Sequence, residues 1–171
     1  MAEIEALHGG AQYVTLGIDR EVFAVDVDKV REILDARQVS RVPHAPPFML
    51  GMIDVRGRSV PVIDLRVKLG LPATDATEHT RIIVLDIDTR GKTLTMGVLA
   101  DRVFEVTPLD DHDMEPPPDV GTQWRSDYIR GVGRRGDSFV IVFDLPRLFS
   151  SEETALITGP IATAETTTDE G

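Results

Sequence analysis

Alternating apolar and polar positions near the start of the chain predict a β-hairpin. Apolar side chains occupy every second position in two runs, Val14–Ile18 and Phe23–Val27. A period of two is expected for strands that bury one face. The polar residues Asp19–Glu21 between the runs suit a tight turn.

The same alternation predicts three more hairpins further along. They pair Met52–Val55 with Val60–Ile63, Ile82–Ile87 with Leu94–Leu99, and Tyr128–Val132 with Phe139–Phe143.

Helical spacing appears briefly in two places. One turn of helix is predicted from the apolar residues Val27, Val30, Ile33 and Leu34. Asp64 can cap a second short helix, which Gly70 would end. Pro61 cannot donate to a β-ladder, so its strand is expected at a sheet edge or a bulge.

Two segments of the first half recur in the second half in the same order. Residues 28–33 (DKVREI) match residues 101–106 (DRVFEV). Residues 56–65 match residues 135–145, with one extra residue in the second copy. Matches at two places in one order indicate an internal repeat.

The repeat predicts two small β-barrels that pack side by side as one domain. Each copy holds several short strands, and closure into a barrel removes exposed strand edges. We expect the domain to span residues 12–150, with approximate lobes at residues 12–80 and 81–150.

The charge distribution argues against some partners. The net charge is −11, and residues 151–171 contain five acidic residues and no Lys or Arg. Without this segment the body still carries 18 basic against 24 acidic residues, which disfavours binding to nucleic acid. We expect residues 151–171 to be an acidic tail, with at most a short helix at its start and disorder beyond.

The chain shows no sign of export or membrane insertion. It has no cysteine, no signal peptide at its N-terminus and no apolar run of about 18 residues. These features predict a cytoplasmic protein that does not insert into the bilayer.

Catalytic and metal-binding patterns are not recognisable. The histidines lack ligand spacing, and the acidic residues between 110 and 115 lack the spacing of a calcium loop. Glu32 and Glu105 occupy equivalent positions of the repeat, so an acid–base pair is one interpretation. A charged rim around an apolar groove is the other, and we favour it. We therefore expect no catalytic residue, no metal site and no cofactor.

The segment Val42–Arg66 (VPHAPPFMLGMIDVRGRSVPVIDLR) resembles the signature of the CheW chemotaxis coupling family. The similarity continues at residues 101–106, 114–118 and 128–133, so it covers nearly the whole chain. Asp54 departs from the family pattern, which usually has Asn there.

This resemblance implies an all-β fold with short helices: two pseudo-repeated, SH3-like, five-stranded β-barrels packed as one CheW-like domain. It also implies a non-enzymatic adaptor. Members of this family bridge the regulatory domain of the histidine kinase CheA to the cytoplasmic helical hairpin tips of chemoreceptors. They do so in arrays at the membrane, where further CheW copies can join in rings.

The family pattern also assigns candidate binding residues. The receptor-facing groove would use Val30, Glu32, Ile33, Arg56 and Val106. The aliphatic residues of this set would anchor an amphipathic receptor helix. Arg56 would hydrogen-bond a receptor carboxylate or carbonyl, and Glu32 would orient it.

Kinase contact is expected in the loop that begins at Met114. The residues we assign to it are Met114, Glu115 and Val120. Prolines between them hold the loop extended at low entropic cost, which suits recognition as well as a stiff connection.

Three alternatives stay open at this stage. The chain could couple an array that governs surface motility or gene expression. It could be a barrel scaffold without kinase partners. It could also be a small enzyme, in which case Glu32 and Glu105 should converge in one pocket.

Overall fold

The computed structural model describes residues 11–89, 91–109, 114–116 and 128–149. In this part the chain forms ten strands, two short α-helices and one 3₁₀ turn at Val27–Lys29. The strands are β1 (Ala11–Ile18), β2 (Glu21–Asp26), β3 (Val30–Asp35), β4 (Met49–Val55), β5 (Arg58–Asp64), β6 (Arg81–Thr89), β7 (Lys92–Ala100), β8 (Arg102–Leu109), β9 (Ile129–Arg135) and β10 (Ser138–Phe143). The helices are α1 (Leu65–Lys68) and α2 (Leu145–Leu148). Neither described helix is long and apolar enough to cross a membrane.

The strands assemble into two five-stranded sheets. The first sheet has the order β8-β1-β2-β10-β9, and the second has the order β3-β6-β7-β5-β4. Neighbours are antiparallel except for one parallel pair in each sheet, β2 with β10 and β5 with β7. The predicted fold class, all-β with two five-stranded units and short helices, is confirmed.

The repeats exchange strands between the sheets. The β1–β2 hairpin of the first copy joins β8–β10, and the β6–β7 hairpin of the second copy joins β3–β5. The two sheets therefore do not follow the predicted approximate lobes at residues 12–80 and 81–150. Residues 81–100 pair with strands of the first half through β3·β6 and β5·β7. Alternation predicts a hairpin locally, but it holds no information about distant parallel partners.

Three apolar clusters fill the described part of the molecule. The first sheet encloses a small core of its own, made of Tyr13, Ala24, Leu109, Val140 and Val142. The core of the second sheet contains Ile53, Val55, Val60, Val62, Ile82 and Val84. The largest cluster, which we call the intersheet cluster, takes residues from both sheets and both helices, including Leu16, Phe23, Ile63, Ile83 and Leu145.

Burial of both faces explains the apolar runs in central strands. Successive side chains of a strand point to opposite faces. In β6, Ile82 and Val84 enter the core of the second sheet, whereas Ile83 and Leu85 enter the intersheet cluster. All four are fully buried, and each contributes roughly 1.5–3 kcal/mol of stability.

Both helices begin at an aspartate cap. The Asp64 carboxylate accepts a hydrogen bond from the backbone N–H of Arg66 at 2.9 Å, and Gly70, at φ +85°, follows the end of α1. Asp144 caps α2 in the same way, through the N–H of Arg147 at 3.2 Å. The predicted cap and stop of α1 are confirmed.

Two local predictions are wrong. The predicted helical turn after Val27 ends at Lys29, and Val30–Asp35 is the edge strand β3. Pro61 lies in β5, between β4 and β7, and not in an edge strand. Its missing N–H is tolerated there because the ladder between β5 and β7 begins one residue later, at Val62.

Candidate functional site

The edge strand β3 positions three of the five residues assigned to the receptor-facing groove. Val30 lies opposite Leu85 and Ile33 lies opposite Ile83, so both face the intersheet cluster. Glu32 lies opposite Val84 and therefore faces the core of the second sheet. A β-bulge between Val30 and Glu32 produces this arrangement.

Arg56 reaches Glu32 from the β4–β5 hairpin. It is the first residue of the tight turn, at φ +52°, and its Nε donates a hydrogen bond to Glu32 Oε2 at 3.2 Å. The Arg56 side chain is 82% exposed, whereas that of Glu32 is 22% exposed. The Arg56 guanidinium therefore lies at the surface, whereas the Glu32 carboxylate that pairs with it is more sheltered.

A cleft of about 260 Å³ surrounds this ion pair. Besides Glu32 and Arg56 it is lined by Arg31, Val55, Arg58, Val60, Val84 and Thr95. Because β3 and β4 are the two edges of the second sheet, the pair also joins one edge to the hairpin at the other.

Val106 lies on the other sheet. It sits on β8 opposite Val14, a member of the intersheet cluster, and is 54% exposed. Ile33, at the matching position of the repeat, is 42% exposed. The structure thus places Val30, Glu32, Ile33 and Arg56 on the second sheet, with Val30 and Ile33 on one face of β3 and Glu32, held by Arg56, on the other. It places Val106 on the repeat-related edge of the first sheet, facing the same intersheet cluster.

A second ion pair repeats the first. Arg135 Nη2 lies 2.6 Å from Glu105 Oε2, joining the edge strands β9 and β8 of the first sheet. Glu32 and Glu105 are therefore held by different arginines in different sheets, and the predicted convergence of the two carboxylates in one pocket is contradicted. The sequence match of Arg56-Gly57 with Arg135-Gly136 could have revealed this second pair.

Asp54, the residue that departs from the family pattern, lies beside the turn. Its side chain is exposed and it faces Ser59 across the hairpin. Its backbone carbonyl accepts a hydrogen bond from Arg37 Nη1 at 3.2 Å. The charge at Asp54 is therefore added to the surface two residues before Arg56.

The assigned kinase-binding residues are partly engaged inside the first sheet. Glu115 exchanges two backbone hydrogen bonds with Val132 on β9, at 2.9 and 2.8 Å. Met114 packs on the core of the first sheet and fills the space beside Gly131, where a Cβ would lie 2.5 Å from the Met114 Cγ. Glu115 is exposed, and Val120 lies outside the described residues.

Arg66 is a structurally important residue that the sequence did not single out. Its guanidinium donates to Asp101 Oδ2 at 2.7 Å and to the Pro72 carbonyl at 2.9 Å, and it lies 3.6 Å from Asp19. These contacts tie α1 to the β1–β2 turn and to the junction between β7 and β8. Its side chain is only 11% exposed.

Burial raises the pKa of the Asp64 carboxyl above its ordinary value of 3.8. The backbone N–H groups of Arg66 and Val67 and the Arg66 charge act in the opposite direction, but they offset the effect only in part. This carboxyl caps α1, so its ionisation affects the stability of the fold.

Exposed aliphatic side chains beside fixed charged pairs, on the edges of two small β-sheets, define a protein-interaction module. The comparison with known families agrees with that class, because residues 12–153 match the model of the CheW-like domain. The chain belongs to the CheW-like domain family. The family predicted from the segment Val42–Arg66 is thereby confirmed.

Relatives are similar over most of their length. The chemotaxis protein CheW of Klebsiella aerogenes is 32% identical over 160 residues, covering 92% of this chain and 94% of the relative. The chemotaxis protein CheW of Rhizobium meliloti is 30% identical over 146 residues, covering 85% and 92%. The crystal structure of the scaffolding protein TtCheW from Thermoanaerobacter tengcongensis matches with a TM-score of 0.74 at 29% identity, covering 84% of this chain and 90% of that chain.

Proposed function

We propose that this chain is a non-enzymatic chemotaxis adaptor. It couples the regulatory domain of the histidine kinase CheA to the cytoplasmic tips of chemoreceptors, in arrays on the cytoplasmic face of the membrane. Family membership supports the adaptor role. The observation that carries the proposal is that the exposed Ile33 and the Arg56–Glu32 pair lie on β3, whose outer edge pairs with no other described strand.

The receptor site in this proposal has an apolar and a polar part. Val30 and Ile33 offer aliphatic contacts to the apolar stripe of a receptor helix, and Val106 adds one from the first sheet. Arg56 supplies a charged donor whose position is fixed by Glu32. A charge-assisted hydrogen bond from a preoriented guanidinium adds direction to the apolar contact.

The kinase site in this proposal lies at the β9 edge of the first sheet, whereas Val106 lies at the β8 edge. Glu115 is exposed on the segment that covers the edge of β9, and Met114 fixes that segment from below. Together with Val120 these residues form the proposed contact with CheA. The adaptor domain itself is proposed to span residues 12–150.

The proposal is tested by measuring the binding of the purified chain to a CheA regulatory domain and to a receptor tip fragment. We expect wild type to bind both. Arg56→Ala should weaken receptor binding by about tenfold, which corresponds to about 1.4 kcal/mol, and should change kinase binding less than about twofold. Circular dichroism should show an unchanged fold, because the exposed pair contributes only about 0–1 kcal/mol to stability.

Arg147→Ala is the matched control. Arg147 is 70% exposed and also pairs with an acidic neighbour, Asp144 at 3.8 Å, but it lies on α2. It should leave both affinities unchanged. Failure of wild type to bind either partner at high micromolar concentration would remove the coupling role. Binding of both partners that Arg56→Ala leaves unchanged would retain the role and reject the proposed receptor site.

A further inference from the structure

The cleft around the Arg56–Glu32 pair contains more positive than negative charge. Three arginines line it, Arg31, Arg56 and Arg58. Arg56 pairs with Glu32 at 3.2 Å, and Arg31 pairs with Asp86 at 3.1 Å. The exposed Arg58 side chain makes no ion pair or hydrogen bond with the residues that the structure describes. We call this site the arginine cleft.

Strand geometry directs Arg58 into the arginine cleft. Side chains two residues apart on a strand share a face. Val60 and Val62 enter the core of the second sheet, so Arg58, two residues before Val60 on β5, points to the same side. Its neighbour across the β4–β5 hairpin, Val55, belongs to the same core. Arg58 therefore lies at the mouth of the space that the second sheet encloses.

The other acidic residues on the strands of the second sheet do not neutralise this charge. Asp88, further along β6, pairs with Lys29 at 3.3 Å. Asp54 lies between two core residues of β4, so its side chain points to the opposite face. Asp35 and Asp64 are the last residues of β3 and β5 and do not line the cleft. Three arginines thus stand against two carboxylates, a net charge of +1 on a chain that carries −11.

The apolar part of the cleft is small and aliphatic. It consists of Val55, Val60 and Val84, which are all buried. The volume of about 260 Å³ lies below the roughly 300–1,000 Å³ of sites that hold small-molecule ligands. Valines beneath one unmatched guanidinium fit a single acidic side chain. Its methylene groups would contact the valines, and its carboxylate would pair with Arg58.

We propose that the arginine cleft binds one carboxylate through Arg58, and that this carboxylate belongs to an acidic side chain on a partner helix. The inference rests on the proposed coupling function only for the identity of that partner, a chemoreceptor tip. Arg56 donates its Nε–H to Glu32, whereas the N–H donors of Arg58 have no acceptor among the described residues. Arg58 therefore makes the site selective for an acidic position on the receptor helix, because a guanidinium can bind a carboxylate with two parallel hydrogen bonds.

The first test needs no receptor and uses a capped glutamate, N-acetylglutamic acid α-amide, as the probe. NMR follows the Nε–Hε signals of the arginine side chains in the full chain during the titration. The Arg58 signal should shift along a saturating curve with a dissociation constant of about 10–100 mM, as expected for a charge-assisted pair acting alone. The capped glutamine, which has the same shape without the charge, should not shift it. The signal of Arg20, an exposed arginine in the β1–β2 turn that also has no ion pair among the described residues, should stay in place.

The second test measures the binding of a receptor tip fragment. Arg58→Gln should weaken this binding by about three- to fivefold, whereas the matched control Arg20→Gln should not change it. The acidic residues of the fragment are then changed to their amides one at a time. At one position the change should weaken binding to wild type but not to Arg58→Gln, which identifies the carboxylate that Arg58 contacts. Raising the salt from 0.1 to 1 M shortens the Debye length from about 10 to about 3 Å and should reduce the difference between wild type and Arg58→Gln.

The two tests separate this inference from the coupling role. Receptor binding that Arg56→Ala weakens and Arg58→Gln leaves unchanged would retain the coupling role and overturn the inference. Equal shifts of the Arg58 signal with both capped amino acids, or no shift with either, would also overturn it. Saturable binding of the capped glutamate by a chain that does not bind the receptor tip would support the carboxylate site and overturn the receptor as its partner.

Discussion

At the scale of single residues, the buried carboxyl of Asp64 affects how the stability of the protein depends on pH. Asp64 is 2% exposed and caps α1, and burial raises its pKa. A carboxyl with a higher pKa in the folded state binds its proton more readily there than in the unfolded chain. Its ionisation therefore lowers stability near neutral pH, and this penalty disappears as the pH falls through the folded-state pKa.

We predict that Asp64→Asn changes how stability depends on pH. Asn keeps the capping oxygen and removes the buried charge. Relative to wild type, the variant should be most stable near pH 7, and its advantage should shrink as the pH falls towards about 4. Urea midpoints measured across this range test the prediction. Asp144→Asn is the control, because it makes the same substitution at the cap of α2, which is less buried. An advantage of Asp64→Asn that grows on acidification would contradict the assigned sign.

At the scale of elements, β3 shows why part of the site could not be read from the sequence. Its bulge at Arg31 places Val30 and Ile33, three residues apart, on one face of a strand. In a regular strand those positions face opposite sides, so the spacing imitates a helix. The two Glu–Arg ion pairs could not be read from the sequence either. Each joins opposite edges of one sheet, and these edges come together only when the sheet curls.

Other parts of the molecule were predictable because they depend on neighbours in sequence. The four hairpins follow from alternation around short polar turns, and Asp64 and Gly70 mark the ends of α1 by cap chemistry. Met114 shows the limit of this reasoning. Its packing beside Gly131 depends on a contact between distant segments that no local pattern encodes.

The segment that crosses β4 depends on the absence of a side chain at Gly51. Gly51 has φ +147°, and a Cβ there would lie 2.0 Å from the Ser40 carbonyl oxygen. Ser40 exchanges two backbone hydrogen bonds with Met52, at 2.9 and 2.7 Å. Any side chain at Gly51 must therefore break this bridge.

We predict that Gly51→Ala lowers the free energy of unfolding by more than about 3 kcal/mol, since it combines backbone strain with loss of the bridge. Gly57→Ala is the matched control. Gly57 also has a positive φ, +82°, but a Cβ there meets nothing within 4 Å. It should cost only about 1–2 kcal/mol of strain. Urea denaturation measures both. Equal losses would show that conformation, and not the contact with Ser40, sets the cost.

At the scale of the whole molecule, the exchange of strands makes the two halves interdependent. The first half contains β1–β5 and the second half contains β6–β10, and neither includes a complete sheet. The repeat in the sequence indicated two similar units. It could not indicate that each unit completes the other, because the parallel partners of β2 and β7, which are β10 and β5, lie in the opposite copy.

We therefore predict that fragments 1–80 and 81–171 are unfolded alone and fold when mixed. Each fragment alone leaves strand edges and most of the intersheet cluster without partners. Circular dichroism of each fragment and of an equimolar mixture tests this, with the intact chain as reference. A cooperative thermal transition in either fragment alone would show that the halves are independent units.

The order of the strands along the chain determines when each sheet can form during synthesis. All strands of the second sheet lie within residues 30–100, so this sheet can form as soon as β7 has been made. The β1–β2 hairpin ends at Asp26, and 75 residues follow before β8 begins at Arg102. At about 5–20 residues per second, about 4–15 s pass before synthesis of β8, the first of the two strands that flank the hairpin, begins. A nascent chain halted before β8 thus carries a hairpin with two open edges, the form in which it is most exposed to pairing with another chain.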